Sequence, residues 1–344
     1  MTCKLAIVAL FCMTITAFAA QPEPLAPANL KFSNVGGTVG LYPFAIGNNS
    51  IVGAFCCLPS SDPLSSENTA GFLLNPPEYF SQFMVTLRPG WTSGFASGVD
   101  AGGTLIVGGY CTENDCASYV SEHGFLLQLD YGDEYFPFST IDVPGAPATI
   151  ASGVNSSGVI VGTYCLRSSS CYFQSPDHGF KNEKGSFTEV KFPGAAATGV
   201  FGINDAGDMV GSYALSSLHA GLPSSGSASN STGRTPPKAN MPPEIGRNGI
   251  LVYGWLFSGG AFTAINPPGA IETTPSAINN SGVVVGTFVD VNNQIHGFMY
   301  SNGKFLQIDH PNAISTTAYG IDDKNEIVGT YRAADGFSYG YIAK

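Results

Sequence analysis

The stretch Ser276-Ala277-Ile278-Asn279-Asn280-Ser281-Gly282-Val283-Val284-Val285-Gly286 holds the key to this chain, because the chain says it six times. Its grammar is a small-residue lead, then Gly or Ala with an aliphatic residue and Asn or Asp, then a glycine turn, then Val-Gly. The phrase returns from Gly98-Val99-Asp100 to Val107-Gly108, and from Gly153-Val154-Asn155 to Val161-Gly162. It returns again from Gly202-Ile203-Asn204 to Val210-Gly211 and from Gly320-Ile321-Asp322 to Val328-Gly329. A shortened copy, Ala45-Ile46 to Val52-Gly53, comes first. Self-similarity of this kind is the signature of a repeat architecture.

Each copy is followed by a glycine-aromatic phrase: Gly71-Phe72, His123-Gly124-Phe125, His178-Gly179-Phe180, Gly254-Trp255, His296-Gly297-Phe298 and Gly340-Tyr341. A glycine turn and an alternating strand come next, as in Ser301-Asn302-Gly303 before Lys304-Phe305-Leu306-Gln307-Ile308-Asp309. Connectors such as Pro144-Gly145, Pro193-Gly194 and Pro268-Gly269 close the unit. A unit therefore holds four short strands: A (the lead), B (ending at Val-Gly), C (glycine-aromatic) and D. The Val-Gly anchors at 53, 108, 162, 211, 286 and 329 come as close as 43 residues, a propeller-blade period. The widest gap contains a Ser/Pro/Gly-rich insertion over about 216–248, whose composition predicts a flexible surface segment.

The two ends complement each other. Leu30 to Val35 reads as a spare D strand, and the chain stops at Tyr339-Gly340-Tyr341-Ile342, a C strand with no D after it. The fold predicted is all-β: a six-bladed β-propeller with four strands per blade, spanning 30–344, whose N-terminal strand closes the last blade. Closure of this kind leaves no unfinished sheet edge. Small residues in the A leads, such as Thr316-Thr317-Ala318, suit strands that converge on an axis.

Before the repeats, Met1–Lys4, an apolar Leu5–Met13 and Ala17-Phe18-Ala19 have the layout of a secretory signal peptide over 1–20, followed by a linker over 21–29. The expected location is secreted, extracellular or periplasmic, with no membrane span after signal removal. Without Lys4 the chain has 13 basic against 25 acidic residues, about −12. That charge disfavours phosphate backbones, and nucleic acid is excluded as a partner class.

Taken together, the Gly-Ile-Asn-x-x-Gly-x-x-Val-Gly and His-Gly-Phe phrases on an exported chain resemble the HAF-type extracellular repeat family, over residues 30–344. The resemblance implies secretion and repeats rather than a known activity. Here Gly replaces the middle Ala of the namesake phrase, and three of six copies lack its His.

Candidate chemistry is sparse. Cys111 with Cys116 and Cys165 with Cys171 are expected to staple the loop after strand B, as exported cysteines usually do. Cys56 and Cys57 depart from that pattern; a vicinal disulfide, a free thiol and an intermolecular bond are all compatible. His123, His178 and His296 sit on strand C, roughly 10 Å outside the innermost strand at about 4.8 Å per strand. From there they cannot converge on a metal, and hydrogen bonds within each blade are the expectation. Asp100, Asn155, Asn204, Asn279 and Asp322 read as turn formers rather than calcium ligands. No nucleophile elbow, zinc motif, phosphate loop or dinucleotide fingerprint occurs in its required setting, so no catalytic, cofactor-binding or metal residue is assigned and no cofactor is expected.

B–C and D–A connections share one face of a propeller, and all insertions are expected there. Arg88, Trp91, Asp309 and His310, in D–A connections, are the candidate ligand contacts. The leading reading is a secreted non-enzymatic recognition or scaffold propeller for a carbohydrate or protein. The alternative is a secreted hydrolase or lyase with carboxylates at the axial mouth, and its diagnostic would be a carboxylate or His interrupting the small residues of an A strand. Glu272, placed just before one A strand, comes nearest.

Overall fold

The structure, a computed structural model, describes residues 25–35, 40–48, 50–55, 70–74, 93–112, 122–129, 137–166, 178–215 and 252–344. The signal peptide expected over 1–20, Cys56, Cys57, Arg88, Trp91, Cys116, Cys171 and the 216–248 insertion lie outside them. Strand β1 (Phe32–Asn34) is the first of the fold. Blade 1 follows with β2 (Leu41–Gly47), β3 (Ser50–Phe55) and β4 (Ala70–Leu74). Blade 2 comprises β5 (Ser93–Val99), β6 (Leu105–Cys111), β7 (Glu122–Gln128) and β8 (Phe138–Ile141). Blade 3 is β9 (Ala148–Val154), β10 (Ile160–Cys165), β11 (His178–Glu183) and β12 (Ser186–Val190). Blade 4 is β13 (Ala197–Ile203), β14 (Met209–Ala214), β15 (Val252–Ser258) and β16 (Ala261–Ala264). Blade 5 is β17 (Ala270–Ile278), β18 (Val284–Asp290), β19 (Ile295–Ser301) and β20 (Lys304–Ile308). Blade 6 is β21 (Ser315–Ile321), β22 (Ile327–Arg332) and β23 (Ser338–Ala343), with β1 as its fourth strand.

Every blade is an antiparallel meander, and the inner strands pack in sequence until β2 meets β21. The protein is a six-bladed β-propeller. Head-to-tail closure takes the predicted form: Phe32 pairs with Ala343, Ser33 with Ile342 and Asn34 with Tyr341. Lys31 and Lys344 exchange backbone bonds of 2.9 and 3.0 Å beyond the strand end. Residues within the predicted linker are also tied down, since Ala28 N donates to Gln307 O and Gln307 N to Ala26 O along the outside of β20.

The repeat's two glycine signals have one cause. Gly53, Gly108, Gly162, Gly211, Gly286 and Gly329 on strand B pair with Phe72, Phe125, Phe180, Trp255, Phe298 and Tyr341 on strand C. Each ring lies over its glycine, where a Cβ would stand 2.7–2.9 Å from ring atoms and about 2 Å from a strand-A carbonyl. All six rings are buried to 4% exposure or less. They form the core between blades, each worth about 1.5–3 kcal/mol of apolar burial.

Strand A carries a β-bulge at the same place in all six blades. A bulge inserts one residue and re-aims its side chain. The bulged residues are Phe44, Ser97, Ser152, Phe201, Ser276 and Tyr319, and all six line the axial cavity of about 60 Å³. The next residue is small because the neighbouring blade's backbone is against it: a Cβ on Gly320 would lie 2.7 Å from Ala45 Cα, and one on Gly202 3.0 Å from Ala277 Cα.

Candidate functional site

The two faces are built differently. On the turn face, formed by A–B and C–D connections, each Asn or Asp holds its own turn as turn chemistry dictates. Asp100 Oδ1 accepts from Thr104 N and Leu105 N at 2.7 Å, and Asn279 Oδ1 accepts from Ser281 N and Val283 N. The amide then does a second job. Asn155 Nδ2 donates to Asn204 O, Asn204 Nδ2 to Asn279 O, and Asn279 Nδ2 to Asp322 O, at 3.1, 3.1 and 2.9 Å. Blades 3 to 6 are thereby clamped in series. Asp100 and Asp322 have no amide to donate, and the series does not continue through them.

Outside this ring runs a second chain. Ser156 N donates to Asp205, Asp205 N to Asn280 and Asn280 N to Asp323, each at 2.8 Å, and Asn280 Nδ2 bonds both aspartates. The turn face is a fastening.

The loop face, formed by B–C and D–A connections, differs from blade to blade. Its B–C connections run over 56–69, 112–121, 166–177 and 215–251 in blades 1 to 4, but only 291–294 and 333–337 in blades 5 and 6. The expected confinement of insertions to this face fails once. Blade 2 spends 129–137 on a C–D connection where blades 3 to 5 use two-residue glycine turns, so the turn face carries an insertion too. Cys111 and Cys165, at the ends of β6 and β10 on the loop face, are disulfide-bonded, and their expected partners lie outside the described residues.

In blades 2, 3 and 5 strand B ends on the loop face in an aromatic residue stacked on strand C. His123 stacks on Tyr110, His178 on Tyr164 and His296 on Phe288, with centroids 5.1–5.2 Å apart. Each imidazole Nδ1 meets a carboxylate of its own blade: Asp142 at 2.8 Å, Glu189 at 2.9 Å and Asp309 at 2.8 Å. Burial works against the charged form of His296, but Asp309 and Asp290 outweigh it and its pKa rises.

Of the candidate contacts within the described residues, Asp309 also accepts from Gln307 Nε2 at 2.6 Å. His310 lies 3.6 Å from Tyr331, parallel to it, and meets Phe32 edge-on at 5.0 Å. Burial lowers its pKa. Both residues thus serve joints within and between blades, and His310 ties the closing strand to its blade.

The feature that sequence reading misplaced is Glu272. It stands inside β17, not before it: strand A of blades 2, 3, 4 and 6 begins at the equivalent position, and a bulge after Ala270 extends β17 two residues further. At the equivalent position the other blades have Gly40, Ser93, Ala148, Ala197 and Ser315. Glu272 is 6% exposed, and burial raises its pKa to about 7. Around it, Thr273, Thr274 and Thr287 have buried hydroxyls with no partner. Glu122, the first residue of β7, is a second buried carboxylate, pushed well above its usual range by desolvation. Neither carboxylate belongs to the axial cavity, whose lining is apolar and small residues with Ser97, Ser152, Ser276 and Tyr319.

No family model matches the chain, and no curated protein is similar to it. Among solved structures it resembles Trypanosoma rangeli sialidase at 10% identity and a TM-score of 0.45, over 89% of this chain and 54% of that one. The chain thus spans about half the sialidase's length. It also resembles AofleA from Arthrobotrys oligospora (10%, TM-score 0.49, 91% and 86% covered) and TolB from Acinetobacter baumannii (10%, 0.47, 86% and 63%). These likenesses concern the fold alone.

Proposed function

We propose that this is an exported, non-enzymatic recognition propeller of the HAF-type repeat class, binding an extracellular carbohydrate or protein through its loop face. The contrast between faces carries the reading: repeated side-chain clamps fasten the turn face, while four blades insert chain of unrelated length on the loop face. Variable connections on a rigid scaffold are the usual place for binding. Disulfide bonds at Cys111 and Cys165 support export, because such bonds persist in oxidising compartments.

The hydrolase or lyase reading has one observation in its favour, a carboxylate near neutral pKa on an A strand, which suits general acid work. Glycoside hydrolysis takes two carboxylates flanking one bond, and Glu272 has threonines around it. Recognition is therefore preferred. A glycan array and cross-linking against surface proteins test it. Capture that survives Glu272→Gln supports recognition, whereas turnover of a glycoside or ester panel that E272Q abolishes replaces it.

A further inference from the structure

Blades 5 and 6 carry the same threonine pair. Thr274 faces Thr287 across β17 and β18, and Thr317 faces Thr330 across β21 and β22. In blade 6 the two hydroxyls bond each other at 2.8 Å, and Thr330 reaches Tyr319 Oη at 3.4 Å. In blade 5 both hydroxyls lack a partner although the residues are only 1% and 3% exposed. The substitutions around the pair explain the difference in part. Ser276 stands where blade 6 has Tyr319, and Glu272 where it has Ser315.

Strand alternation puts Glu272, Thr274 and Thr287 on one face of blade 5. That face looks toward blade 6, since Thr287 pairs with Gly297, whose Cβ would meet Ala318 at 3.4 Å. Thr273 points the other way, and its orphaned hydroxyl has a separate cause. Thr149, Thr198 and Thr316 at its position accept the N–H of Val143, Phe192 and His310, but the corresponding connector residue in blade 5 is Pro267, which has no N–H.

Two unpartnered buried hydroxyls beside a buried carboxylate would each carry a desolvation cost. A guest that supplies positive charge and accepts oxygen ligands removes all three costs at once. We propose that Glu272, Thr274 and Thr287 form a site for a monovalent metal cation, sodium or potassium, between blades 5 and 6. The donor set is all hard oxygen with a single negative charge, which balances one positive charge. Calcium gathers more carboxylates or carbonyls, and among the described residues no three His, Cys, Asp or Glu side chains group to hold a metal. Blades 5 and 6 also have the shortest B–C connections, which keeps this part of the loop face free of inserted chain from those two blades.

The test is independent of any ligand for the loop face. The mature chain is melted at pH 8 in sodium, potassium or tetramethylammonium chloride at equal ionic strength. Wild type should melt several degrees higher in one of the metal salts than in tetramethylammonium. Glu272→Gln and Thr287→Val should melt alike in all three. Crystals soaked in thallium(I) acetate should show an anomalous peak between Glu272 and the two threonines. A wild-type melting point indifferent to the cation, or thallium absent from that position, overturns the proposal. Should E272Q fail to fold, T287V, which keeps the carboxylate, decides the matter alone.

Discussion

The turn face and the loop face are cut from the same six repeats, yet the repeats agree on one and diverge on the other. On the turn face, Asn155, Asn204 and Asn279 form near-identical bonds to the next blade, 2.9–3.1 Å long. On the loop face, a strand-B aromatic stacks on a histidine in blades 2, 3 and 5, but the carboxylate that meets the histidine changes from Asp142 to Glu189 to Asp309. Repetition marks what a blade needs in order to stand beside its neighbour. Departure from repetition marks what blades do individually, and Glu272 is such a departure.

The comparison breaks most violently at the structure common to both faces. Trp255→Ala removes a fully buried ring from the blade 3–4 core and its Nε1 bond to Ser212 O. It should cost about 3–5 kcal/mol, read by chemical denaturation, with ligand capture lost only through unfolding. Next, Asn279→Ala removes two turn bonds and the amide bonds to Asp322 and Asn325. A loss of about 2–3 kcal/mol is expected, with capture by the remaining folded protein unchanged. Asn279→Asp sharpens the point. It keeps the turn's acceptor and deletes the clamp, so its cost should be the smaller of the two.

Glu272 gives a pH signature. Its folded pKa, about 7, is above its unfolded value, so folding prefers the protonated form. In tetramethylammonium buffers this contribution is complete at pH 4 and is lost as pH rises to about 7. Melting temperature should fall across that window more steeply in wild type than in Glu272→Gln, where the raised carboxyl of Glu122 still acts in the same direction. His296 acts in the same direction because its pKa is raised as well, so its stabilisation is present below about pH 6.5 and fades above its folded pKa. Smallest of all, His123→Ala breaks a part-exposed pair with Asp142 and should cost about 1 kcal/mol or less.

Much of the fold is legible in the sequence because it is enforced by local chemistry said six times. Val-Gly and glycine-aromatic are two halves of one contact, and the spare D strand at Phe32 is readable because the last blade lacks one. The clamps are harder to read, because an asparagine that suits its own turn gives no sign that its amide reaches the next blade. Glu272 is legible as an interruption but not as a member of β17, since the small residues that open the other A strands give no sign that a carboxylate can take their place. The blade 2 insertion at 129–137 is not legible, because the spacing of the Val-Gly anchors gives the length of a repeat without saying which of its connections carries the extra residues. Asp309 and His310 look like free connector residues until Gln307, His296 and Tyr331 are set beside them.

One comparison of capture tests the division of labour between faces most directly. The chain over 21–344, a variant of it with 216–248 replaced by a short Gly-Ser linker, and Asn279→Asp are applied side by side to a glycan array and to cross-linked surface proteins. Loss of capture in the loop-face variant, with capture kept in the folded fraction of N279D, is the result predicted. Capture that survives the loop replacement but disappears in folded N279D would contradict it and move the binding surface to the turns.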